Sequence, residues 1–174
     1  MAAKHPELVR KIILVGSGPF ESRYAEGIMK TRLERLSDRE RAQARRWLEE
    51  LEAGNRDGLA RFGRLISKAD SCDPLPEGEA GVEGRPEVYN GVWPQADALR
   101  RRGELLRLAG EIRCPVLAIH GDWDPHPAEG VEKPLAGVIK DFRFLLLKRC
   151  GHTPWIEREA KEAFYGILRK ELAA

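Results

Sequence analysis

Cysteine is scarce: three of 174 residues, and Cys72, Cys114 and Cys150 form no Cys-x-x-Cys pair. That leaves no disulfide framework and fits a reducing, cytoplasmic setting. Net charge is equally meagre, at +2 from 30 Lys+Arg against 28 Asp+Glu. With no basic excess to hold phosphate, nucleic acid is not an expected partner. Long apolar runs are missing too. The segment 1–7 is polar, and the first apolar run, Ile12-Ile13-Leu14-Val15, is too short for a signal core or a membrane span. A soluble chain without a membrane partner is expected. Aromatics reach only 7%, but hydrophobic residues make up 42%, as in globular chains rather than disordered ones. At this length a core can form without disulfides or a structural metal.

Three short runs are apolar without alternation: Lys11–Val15, Val116–His120 and Phe142–Leu147. Such runs suit strands of a parallel sheet covered on both faces, and glycines close behind each let the backbone turn. Between and after them lie helical patterns. Ser37-x-x-Glu40 is a capping box before Ala44, Trp47, Leu48 and Leu51, and a second helix is expected from Asp57 to Lys68. A C-terminal helix starting near Glu157 carries Ala160, Ala163, Phe164, Ile167, Leu168 and Leu172 on one face. Residues 70–94, with four prolines and four glycines, read as a long loop. Arg100-Arg101-Arg102 reads as a solvated helix face. The fold class is α/β: a short parallel sheet flanked by helices.

Two segments carry chemistry. In Cys114–Pro127 a buried strand delivers Asp122 and Asp124 to the loop at its carboxyl end, where ligands sit in open α/β sheets. In Phe144–Glu157 another strand delivers His152 to a loop. An acid and a histidine from successive strand ends can form an Asp–His pair, the carboxylate fixing the imidazole tautomer and stabilising the imidazolium. His120, Asp122, Asp124 and His126 alternate like metal ligands, but the prolines at 125 and 127 stiffen the turn, and no metal or other cofactor is expected. His126 is expected to face a cap or the surface. Cys150 near His152 invites a thiol nucleophile, yet its place at a strand end favours an inert buried residue.

The Pro115–Pro125 segment resembles the acid loop of α/β-hydrolases, and Gly151-His152-x-Pro154-Trp155-x-Glu157 resembles their histidine loop. The resemblance covers nearly the whole chain and implies a partial α/β-hydrolase fold. It assigns the triad acid to Asp124 and the general base to His152, in the family's order of acid before histidine. It leaves Asp122 as a turn-stabilising acceptor. Residues 1–19 and 109–174 become core, and 20–108 a helical cap insertion containing the 70–94 loop. Ser17, at the end of the first strand, is a candidate to line the pocket, and Trp155 is a candidate substrate contact whose alternative is packing under the histidine loop. Trp47 and Trp93 either line an acyl pocket in the cap or pack in its core.

One element of the family pattern is missing. The sequence contains no G-x-S-x-G nucleophile elbow, and Gly16-Ser17-Gly18 lacks its spacing. The chain is therefore expected to be the C-terminal half of a hydrolase of ester, amide or similar bonds, inactive alone. It would take a small-molecule substrate once an N-terminal half supplies the serine. The alternative is a non-catalytic binding module that pairs through an exposed sheet edge, as a homodimer or with a complementary fragment.

Overall fold

A computed structural model describes residues 1–55, 57–76 and 86–173. Three strands, β1 (Ile12–Val15), β2 (Val116–Gly121) and β3 (Phe142–Leu147), form a parallel sheet in the order β1-β2-β3. Ile12 is in register with Val116, and Val116 with Phe142. Every residue of β2 is buried, which is why its sequence shows no polar alternation. Its side chains still alternate between two cores. Val116 and Ala118 point to one side, where Val131 and Leu135 of α6 (Glu129–Val138) and Ala109 of α5 (Glu104–Ala109) cover them. Leu117 and Ile119 point to the other, against Ala160 and against Phe164 of α7 (Lys161–Ala173). Burying each of Val116, Leu117 and Ile119 contributes about 1.5–3 kcal/mol, so β2 is the anchor of the sheet. Ion pairs tie α7 back to both edges: Glu171, only 8% exposed, meets Lys11 at 3.2 Å and also Arg143 of β3.

Between β1 and β2 the chain builds a helical layer with its own core. Leu36, Ala44 and Ala69 are buried among Leu33, Phe62 and Leu65, contributed by α1 (Ile28–Glu34), α2 (Asp38–Glu52) and α3 (Leu59–Asp70). The Ser37–Glu40 capping box opens α2, and Glu40 also accepts from Lys68 of α3 at 2.6 Å.

The expected loop over 70–94 is corrected in part. Residues 86–94 belong to α4 (Pro86–Arg101), while 77–85 lie outside the described residues. Proline suits a first helical turn, where its missing N–H has no partner to lose, and Pro94 only withholds one interior bond. At its far end α4 is held down by Arg100, whose Nε donates to the Pro19 carbonyl at 2.7 Å. The C-terminal helix begins at Lys161, after a turn of 3-10 helix at Pro154–Ile156. No helix among the described residues is long and apolar enough to cross a membrane.

Candidate active site

The loops after β2 and β3 meet because their strands are neighbours and parallel. Asp122 joins them at the base: its N–H donates to the Leu147 carbonyl at 2.9 Å, and its Oδ1 accepts from the Cys150 N–H at 3.3 Å. The next N–H, of Trp123, donates to the Cys150 carbonyl at 2.8 Å. Gly121 is required here, since a Cβ at that position would run into the Cys150 and Gly151 carbonyls. Asp122 thus acts on backbone and leaves the next acid free to face the histidine.

Asp124, its side chain fully enclosed, accepts from His152 Nδ1 at 2.9 Å on Oδ2. Its Oδ1 accepts from the His126 N–H at 2.9 Å and from His126 Nδ1 at 2.7 Å. Burial opposes a charge on this carboxylate, but hydrogen bonds from both imidazoles and their positive charges outweigh it, holding the pKa below the usual range. Burial likewise opposes the charged form of His152. The hydrogen bond to Asp124 and its negative charge prevail and raise the pKa above 6.5. Among the described residues, nothing hydrogen-bonds to His152 Nε2.

His126 departs from the expectation that it faces a cap or the surface. Its side chain is only 14% exposed, and its ring lies 4.7 Å from that of His152 with planes 36° apart. The cause is the turn at Pro125, which curls the N–H of residue 126 back onto the preceding carboxylate and brings the ring along. Asp124, His126 and His152 place ligand atoms within 4.8 Å of one another. Both Nδ1 atoms already donate to the carboxylate, so a cation there would have to displace two protons. His120 stands behind: its Nε2 donates to the His126 carbonyl at 2.8 Å, and burial lowers its pKa. With Nε2 as donor, its buried and unpartnered Nδ1 is the bare nitrogen of the neutral ring.

The other candidates separate. A Cβ on Gly16, whose φ is +54°, would collide with the His152 carbonyl and approach Nδ1 to 3.1 Å. The turn carrying Ser17 therefore seats the histidine. Ser17 itself donates to the Gly18 carbonyl at 3.2 Å. Trp155 is 42% exposed and tilts against Phe164 of α7, with ring centroids 5.9 Å apart. Cys150 is fully buried, and burial together with the charges of Glu157 and Asp122 pushes its thiol up to about 12, far from a thiolate nucleophile. Trp47 lines a groove between α2 and α3 with Arg46, Glu50, Asp57 and Arg61, away from the histidine loop, and Trp93 is 56% exposed.

Three further residues hold the site together. Arg32 of α1 forks onto Asp70 at 2.7 and 2.6 Å, and the Asp70 carbonyl accepts the His152 N–H at 2.8 Å. Glu157, with no exposed surface, accepts three backbone N–H bonds. Glu157 had a sequence signal, its place in the histidine-loop motif; Arg32 and Asp70 had none.

No protein-family model and no curated protein matches this sequence. Solved structures do. VinJ aligns with a TM-score of 0.59 at 14% identity, covering 99% of this chain and 60% of its own. Proline iminopeptidase of Mycobacterium smegmatis aligns at 0.56 and 16%, covering 99% and 59%. The enol-lactonase of Burkholderia xenovorans LB400 aligns at 0.51 and 20%, covering 99% and 60%. The chain thus spans about 60% of the length of the structures it matches. With its three parallel strands, flanking helices and paired acid and histidine loops, it has a partial α/β-hydrolase fold.

Proposed function

We propose that this chain is the acid-and-histidine portion of a serine-type hydrolase cleaving an ester, amide or similar bond. The observation that carries this reading is the 2.9 Å hydrogen bond from His152 Nδ1 to Asp124. It fixes the tautomer in which Nε2 bears the lone pair, so Nε2 is the atom that takes a serine hydroxyl proton and later returns it to the leaving group. Asp124 stays ionised and steadies the imidazolium. The serine and the oxyanion-binding N–H groups come from residues outside this sequence, which has no G-x-S-x-G. Two similar structures, named as a peptidase and a lactonase, are consistent with acyl transfer in general and leave the small-molecule substrate open. The test is complementation. The chain alone should give no p-nitrophenol burst from an activated ester. Joined to an N-terminal α/β-hydrolase segment carrying a nucleophile elbow, it should give a burst matched to enzyme concentration and abolished by His152→Ala. A burst that survives His152→Ala sinks the reading.

A second reading rests on β1. Among the described residues this strand pairs only with β2, so one edge presents unpaired backbone groups to a second copy or a complementary fragment. On this reading the chain is a non-catalytic binding module. Light scattering behind size-exclusion chromatography should then show self-association; a monomer at high concentration removes it.

A further inference from the structure

The helical layer and the histidine loop are joined by a two-stranded strap. The Leu75 N–H donates to the Ile156 carbonyl at 2.7 Å and the Arg158 N–H to the Asp73 carbonyl at 3.0 Å, with an isolated antiparallel bridge between Pro74 and Glu157. At its centre the Glu157 carboxylate faces both partners. Oε1 accepts from Cys72 at 2.8 Å and from Gly151 at 2.9 Å, and Oε2 accepts from Asp73 at 2.8 Å. Cys72 and Asp73 continue directly from α3, whereas Gly151 immediately precedes His152. A Cβ on Gly151 would strike the Asp70 carbonyl and Glu157 Oε1, so the two segments are in contact with no spare room. An enclosed carboxylate with three N–H donors is a stiff joint, because breaking any one bond strands a buried polar group.

We propose that Glu157 is a positioning residue that couples the helical layer to His152, so the imidazole reaches Asp124 only while the 70–75 segment is docked. The proposal rests on reading His152 as the base, but its test does not require turnover. Glu157→Gln keeps the side-chain volume and turns one acceptor into an N–H₂ donor facing a backbone N–H. Arg158→Ala serves as control: it removes the exposed Arg158–Asp73 pair at 3.1 Å, a contact of the same strap that contributes little.

The readout is NMR of His152: its titration midpoint and the downfield Nδ1 proton of the bond to Asp124. Expected in Glu157→Gln is a fall of the midpoint toward the ordinary 6.5 and loss of that proton, with Arg158→Ala unchanged. A Glu157→Gln protein that melts earlier but keeps both signals overturns the coupling, since Glu157 is then merely structural. An equal effect of Arg158→Ala overturns it too, by assigning the role to the strap at large. If Glu157→Gln does not fold, amide exchange in the wild-type chain decides. The Cys72, Asp73 and Gly151 amides should open together, and a Gly151 amide that exchanges independently overturns the proposal. Loss of the complementation burst bears on the proposed function alone and leaves these readouts intact.

Discussion

At the scale of single residues, the arrangement around Asp124 makes opposed demands on one carboxylate. Two imidazoles, of His126 and His152, donate to it, so each receives only part of its charge. Removing that charge leaves burial as the dominant influence on His152. Asp124→Asn should therefore drop the His152 pKa from above 6.5 to below it, read by NMR titration. The stability signature has the same origin. A histidine whose folded pKa is raised adds stability that is fully present below its unfolded pKa and lost as pH rises through the folded value. The stability advantage of wild type over His152→Gln, measured by urea unfolding, should thus be largest in mild acid and shrink above pH 6.5. An advantage that grows with pH would contradict the assignment. Asp124 and His152 were legible in the sequence because each sits in a motif at a strand end. Arg32 and Asp70 were not, because their significance arises only from partners far away in the chain. His126 was misread because the curl of the Asp124–His126 turn has no imprint in composition.

At the scale of elements, regular patterning made some segments readable and irregular composition hid others. The Ser37 capping box is a purely local signal, and it holds in the structure. Ser37→Ala should lower stability by about 1 kcal/mol in denaturant unfolding, with the histidine loop unaffected. The helix over Pro86–Arg101 was obscured by Gly91 and Pro94, residues that weaken a helix but do not forbid one packed from its far end. For β1 the structure adds a constraint that the sequence hides. Ile12 and Leu14 pack into one core, and Ile13 and Val15 into the other, so no side chain on the strand can be charged without injuring a core. The edge is better tested through its backbone. The N–H groups of Ile12 and Gly16 bond to the β2 side, which turns that of Ile13 outward. Ile13→Pro and Ile13→Ala both truncate the packing, but only the proline removes the outward donor. If the open edge drives association, light scattering should show Ile13→Pro less associated than Ile13→Ala.

At the scale of the whole molecule, the sheet joins pieces of chain at very unequal distances. The βα alternation that places β2 beside β3 was plain in the sequence, since both runs and the helix between them lie close together. The run that becomes β1 was legible from its unalternating apolar pattern as a strand of a parallel sheet, but its pairing with β2 had no local signal, because the whole helical layer intervenes. The same inequality sets an order of assembly. Pairing Val116 with Phe142 closes a short loop, whereas pairing Ile12 with Val116 closes one roughly four times longer, which costs about 1 kcal/mol more in chain entropy. The segment from β2 to α7 should therefore form first, with β1 docking last onto an existing surface. Pulse-labelled amide exchange during refolding should show β2 and β3 protected before Ile12 and Gly16, whose N–H groups bond to the β2 side. Until that last step, β2 has one free side, along which the apolar run Val116-Leu117-Ala118-Ile119 stays uncovered. During synthesis or refolding, the chain is thus most prone to misassociation through its best-buried strand, and a slow helical layer prolongs the exposure.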